Sequence, residues 1–170
     1  TEGSDTNNGL GPDASNATNK PWRTINYALG SSSGFASGDT LYIGPCVFRE
    51  TVSVGMTSPT AETFVIGDPL NSQGFKTAGG VLLPPAIPTL TPFTTNDKTA
   101  PAASDTLGIS KPYLTFANMF VLAGTGSYQA IQTETTAHDL KFNDVYAAGT
   151  ANSYGVVYIN TAPDVAANIQ

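Results

Sequence analysis

The sequence predicts an all-β fold, a solenoid of parallel strands with one short helix near its N-terminus. Three observations carry that expectation: an internal repeat of about 25 residues, short strand-like segments bounded by turn formers, and a composition poor in charge. Only 12% of residues are Asp, Glu, Lys or Arg, against roughly a quarter in ordinary domains, while the apolar fraction is a normal 40%. Thr, Ser, Ala, Asn and Gly replace the charges. Disordered chains combine low hydrophobicity with high net charge; here the net charge is −6 and the apolar fraction is normal, so the chain is read as folded. Residues 1–170 are expected to form one domain, since a chain of this length buries about 70% of its unfolded surface. The absence of an initiating Met and the abrupt end inside a strand-like segment at Gln170 read as a piece of a longer polypeptide.

The repeat emerges when Tyr113-Leu-Thr-Phe-Ala-Asn-Met-Phe is laid under Asp139-Leu-Lys-Phe-Asn-Asp-Val-Tyr. Leu114 meets Leu140, Phe116 meets Phe142, Asn118 meets Asp144 and Phe120 meets Tyr146. After a single deletion Gly124-Thr125 meets Gly149-Thr150; one residue inserted after it restores the spacing, so that Tyr128 meets Tyr154, and a third copy starts at Asp164. Side chains alternate across a strand, so Leu114, Phe116, Leu140 and Phe142 are expected to face inward and stack one coil on the next. Asn118 and Asp144 close the first strand of each coil, where a short polar side chain tolerates a left-handed backbone. The outward positions are then Thr115 and Ala117, followed by Lys141 and Asn143, with Ala166 and Asn168 after them.

Residues 1–20 are a run of turn formers and are read as a loop. Asp5 and Asp13, with Asn7 and Asn8, offer oxygens to a calcium ion, but the EF-hand ligand order is missing and turn chemistry is the expected role. Trp22, Ile25, Ala28 and Leu29 recur at helical spacing, so 21–29 is predicted as a helix with Pro21 in its first turn and Gly30 closing it. Residues 38–66 hold the first coils, with strands at Thr40–Ile43, Thr51–Val54 and Thr63–Ile66. Most of the prolines fall in 67–112, which is predicted to leave the scaffold as a single long excursion. Regular coils fill 113–170.

Lys20-Pro-Trp-Arg-Thr-Ile-Asn-Tyr-Ala-Leu, followed by Gly38-Asp-Thr-Leu-Tyr-Ile-Gly-Pro-Cys-Val-Phe-Arg-Glu-Thr-Val-Ser-Val54, resembles the opening of the pectate-lyase-like right-handed parallel β-helix superfamily. The resemblance implies that the helix caps the solenoid and that the second segment forms its first coil. Cys46 stands where that pattern has Gly. The superfamily includes polysaccharide lyases, glycoside hydrolases, epimerases, viral tailspikes and adhesins, so the resemblance implies a fold and leaves the activity open.

Enzymes of this architecture work on the outer face of the first sheet, with acids and a base. No carboxylate falls among the outward positions, and His138 with Asp139 is the nearest thing to an acid–base pair, with a solvated turn as its expected role. Lys141, Asn143 and Thr115 are the candidate contacts for a glycan or partner. Arg49 and Glu50 are expected to pair at the surface. Tyr128, Tyr154 and Tyr158 offer an aromatic row for stacking sugars, but Tyr128 and Tyr154 fall at equivalent repeat positions, so stacking between coils is the expected role. Cys46 is the sole cysteine and is read as a small buried hydrophobe; the Asn16-Ala17-Thr18 sequon is expected by chance in so Thr-rich and Asn-rich a chain. Neither a metal nor a cofactor is called for. Seven basic against thirteen acidic residues give no basic stripe for nucleic acid, and no apolar run is long enough to cross a bilayer.

Two functions follow as expectations. The first is a structural or adhesive module of an extracellular assembly, above all a viral (phage) particle's fibre, spike or capsid decoration, in contact with other particle proteins or glycans and trimeric by analogy. The second is the N-terminal part of a polysaccharide lyase or glycoside hydrolase whose active coils lie beyond residue 170.

Overall fold

The computed structural model describes residues 3–92, 105–124, 129–149, 156–159 and 168–169. Short strands dominate it: β1 (Thr40–Ile43), β2 (Val47–Arg49), β3 (Val52–Ser53), β4 (Thr63–Gly67), β5 (Thr89–Thr91) and β6 (Leu107–Ile109) precede the longer β7 (Leu114–Leu122). β8 (Ile131–Thr133), β9 (Lys141–Ala148), β10 (Val157–Ile159) and β11 (Asn168–Ile169) follow, and the one described helix is α1 (Ile25–Ala28).

Every pairing between these strands is parallel, and the pairings form three ladders. β1, β4, the first half of β7, the first half of β9 and β11 make the first. The second runs through β2, β5 and the second halves of β7 and β9, and the third through β3, β6, β8 and β10. The chain therefore visits the ladders in the same order on each pass: β1-β2-β3, β4-β5-β6, then β7-β8 and β9-β10.

β7 and β9 cross from the first ladder to the second by bending at Asn118 (φ 56°) and Asp144 (φ 51°). These are the left-handed positions expected from the repeat. A second left-handed pair, Tyr113 (φ 54°) and Asp139 (φ 50°), opens each repeat. Gly67 lies at the register of Asn118, and a Cβ there would collide with the Asn118 carbonyl oxygen, which explains glycine at the end of β4.

The inward row of the first ladder runs Leu41, Val65, Phe116, Phe142. Phe116 and Phe142 stack with centroids 5.7 Å apart, as the repeat predicts. Leu90 and Val121 from the second ladder and Leu107, Ile109 and Ile131 from the third complete the buried core. Burying one such side chain is worth about 1.5–3 kcal/mol, so the stacking of successive passes is the main source of stability.

Three expectations need correction. The helix is much shorter than 21–29, because Thr24 is its N-cap: the Thr24 hydroxyl accepts the N–H of Tyr27, while Asp5 accepts the N–H groups of Arg23 and Thr24 and holds Pro21 and Trp22 outside the helix. Its C-cap is Leu29, and Gly30 follows directly with its N–H on the Tyr27 carbonyl, so the helix closes where the sequence places its end. The segment 67–112 is not one excursion, since β5 and β6 lie within it and complete the second pass; Gly67 itself belongs to β4. Pro88 and Pro92 flank β5 rather than interrupt it, so proline leaves its ladder bonds intact. β2 is the other strand missed, three residues hidden between two turns.

Residues 3–20 are ordered by turn chemistry. Asn7 donates to the Pro21 carbonyl, and the Trp22 indole donates to the carbonyl of Asn7. Asp13 accepts from the N–H and hydroxyl of Ser15 and forms an ion pair with Lys76 at 2.8 Å.

Candidate functional site

The outer face of the first ladder carries two rows of side chains: Thr40, Phe64, Thr115 and Lys141, then Tyr42, Ile66, Ala117 and Asn143. Two of the three candidate contacts meet on a residue that the repeat did not indicate. Glu62, just before β4, accepts from the Thr115 hydroxyl at 2.8 Å and from the Lys141 ammonium at 2.6 Å, both on Oε1. Lys141 is 79 residues from Glu62 in sequence, so the contact ties the entry to β4 to β9 across the intervening β7.

The Lys141 ammonium and then the Thr115 hydroxyl hold the Glu62 carboxyl below its ordinary range. Glu62 and Lys141 are solvent-exposed, so the pair is screened and positions the two side chains more than it stabilises the fold. Thr115 is outward in register but only 4% exposed, and its hydroxyl is already committed; as an open contact residue it is corrected. Asn143 is exposed and lies opposite Ala117, outside the cluster. Asn168 pairs with Lys141 through its backbone. Ala166 falls outside the described residues.

A signal for Glu62 was present in the sequence. Glu62-Thr-Phe-Val65 lays over Tyr113-Leu-Thr-Phe116 and Asp139-Leu-Lys-Phe142, with the buried residue, the outward residue and the next inward residue in the same order. The two interruptions of the second pass hid this copy of the repeat. At the same edge the His138 ring lies 2.9 Å from the Asp139 carboxylate and packs edge-on against Tyr113, with centroids 5.1 Å apart. Both lie in the connection that leads into β9, in line with a turn role. At the other end of the face, Tyr42, Ile66, Leu70 and Asn118 border a shallow cavity of about 220 Å³.

Glu50 does not have the surface role expected of it. Its two oxygens accept the N–H groups of Ile25 and Asn26, each at 2.9 Å, so a side chain from the first pass caps α1 from outside. Burial pushes its carboxyl up, against the lowering effect of those two bonds. Cys46 is half-buried, and burial raises its thiol. Asp13 is held at about 2, first by Lys76 and then by Ser15. Tyr158 is exposed and pairs in register with Gln132, while Tyr128 and Tyr154 lie outside the described residues. Among the described residues no group of three His, Cys, Asp or Glu side chains is placed to hold a metal, and no helix is long and apolar enough to cross a membrane.

Fold and site together define an all-β chain with parallel sheets whose outer face carries a carboxylate–lysine tie. No family model, curated protein or solved structure matches it.

Proposed function

We propose that the three ladders are the faces of a right-handed parallel β-helix of the pectate-lyase-like kind, and that the chain serves as a structural or adhesive module of an extracellular assembly, above all a viral particle's fibre, spike or decoration. The observation that carries this reading is the use made of the charged groups on the outer face. Glu62 and Lys141 are engaged with each other and with Thr115, and so tie one pass to later ones. A hydrolase needs two carboxyl groups held apart across a sugar, whereas this carboxylate is in direct contact with an ammonium. A regular stack of parallel strands whose outer charged groups already engage each other suits a structural or adhesive role.

The test is where the full-length protein resides in intact particles, read by immunogold labelling and by mass spectrometry of purified assemblies. Incorporation into a particle supports the reading. Recovery only as a free monomer that releases unsaturated or reducing ends from a polysaccharide contradicts it.

The enzyme reading keeps one specific support, the presence of a carboxylate and an amine together on the face where such enzymes act. Glu62→Gln and Lys141→Met discriminate: a glycan-cleaving activity that survives both substitutions does not use this site.

A further inference from the structure

Among the described residues, the side of β1, β2 and β3 away from the later passes is covered unevenly. α1 closes the third ladder there: the Leu29 carbonyl accepts the N–H groups of Gly55 and Met56, and Asn26 Oδ1 accepts that of Ser53. Beside β1 and β2 there is instead a half-open cavity of about 500 Å³. Leu41 and Phe48 line it from the strands, Trp22 from the segment before α1, and Phe75 and Leu83 from the excursion that joins β4 to β5.

That excursion is held in place by its own polar groups. Asn71 accepts the N–H of Phe75 at 2.6 Å and donates to the carbonyls of Phe75 and Leu83 at 3.0 and 2.8 Å. Asp68 accepts from the N–H and hydroxyl of Ser72 and from the N–H of Gln73. Lys76 then joins the excursion to the N-terminal segment, through its ion pair with Asp13 and its N–H on the Pro12 carbonyl. Two segments distant in sequence are thereby fixed around one apolar space.

The space beside β1 and β2 is a half-open cleft rather than a sealed void, and its volume falls in the range of small-molecule sites, about 300–1,000 Å³. Of the charged residues that border it, Lys76 is paired with Asp13, while Arg23 and Asp39 carry opposite signs and give the space no net charge. With Leu41, Phe48, Trp22, Phe75 and Leu83 on its walls, the space matches an apolar ligand better than a charged one. We propose that this cavity binds a neutral, predominantly apolar small molecule, an alkyl chain or fused ring held among Trp22, Phe48 and Phe75. The raised thiol of Cys46, which also lines it, agrees with poorly hydrated surroundings.

Trp22 is the sole tryptophan and reports on the site directly. Titrating the full chain with Nile red is expected to give saturable one-to-one binding, a blue-shifted dye emission and quenching of Trp22, with n-decanol as competitor. Cys46→Phe fills the space and is expected to weaken binding about tenfold or more while circular dichroism matches the parent. In the parent, bound dye is expected to slow maleimide alkylation of Cys46 by about tenfold, a readout that does not depend on how the variant folds. Non-saturable uptake, unchanged affinity in folded Cys46→Phe, or alkylation that the dye does not slow overturns the proposal. Loss of the site through concentration-dependent dimerisation overturns it too, since a second copy would then be the occupant.

Discussion

The inward and outward faces of β7 and β9 share one backbone register but couple successive passes in different ways. Inside, Phe116 lies on Phe142 and extends the row begun by Leu41 and Val65, so like sits on like. Outside, Thr115 and Lys141 are unlike residues joined by a third, Glu62, brought in from the preceding pass. The inner row is non-directional and strong, which is why it repeats recognisably in sequence. The outer tie is directional and screened, and it marks a single place on the face.

The largest expected effect comes from breaking the inner row. Phe116→Ala leaves a hole beneath Phe142 and is expected to lower unfolding free energy by about 3–5 kcal/mol, checked by chemical denaturation. Next is the bend that carries the chain from one ladder to another. Asn118→Val puts a β-branched residue at φ 56° and is expected to cost about 1–2 kcal/mol, whereas Asn118→Gly is close to neutral; the contrast between them isolates backbone strain.

A smaller effect separates Glu50 from Glu62 by pH. The folded-state pKa of Glu50 is raised above its ordinary 4.5, so the stability linked to it is fully present below 4.5 and is lost as pH rises through the folded value. Glu62 and Asp13 behave in the opposite sense. Their folded-state pKa values are lowered, so the stability they contribute is present above 4.5 and 3.8 respectively and is lost as pH falls, through about 2 for Asp13. Thermal melts across this range are expected to show Glu50→Gln removing the loss at rising pH, and Glu62→Gln with Asp13→Asn reducing the loss at falling pH. The smallest expected change is that of Glu62→Gln near neutral pH, because the contact with Lys141 is exposed; high salt is expected to shrink it further.

The same contrast explains what was legible in the sequence. Strands β1, β4, β7 and β9 were readable because their inward residues alternate and recur, and the Asn118 and Asp144 bends because short polar residues mark left-handed backbone. β2, β5 and β6 were not, since three residues between turns or prolines carry no period. The helix start is not legible locally, because only Thr24 caps it from its own turn, while Asp5 reaches Arg23 and Thr24 from the N-terminal segment and Glu50 reaches Ile25 and Asn26 from between β2 and β3, contacts between segments that no local pattern displays. The outward face points to Lys141 and Thr115, but their common partner lies in a pass whose repeat is obscured by inserted loops. Asn143, on the same face, is an exposed neighbour of the tie.

Stacking of successive passes in register is the claim on which the rest depends, and it is most directly tested by double electron–electron resonance. In a Cys46→Ser background, nitroxides at Tyr42 and Asn143 mark positions that share one outward row three strand spacings apart. The account predicts one narrow distribution consistent with a backbone separation of about 15 Å, given the strand spacing of about 4.8 Å. A broad distribution, or one centred at twice that distance, would contradict it.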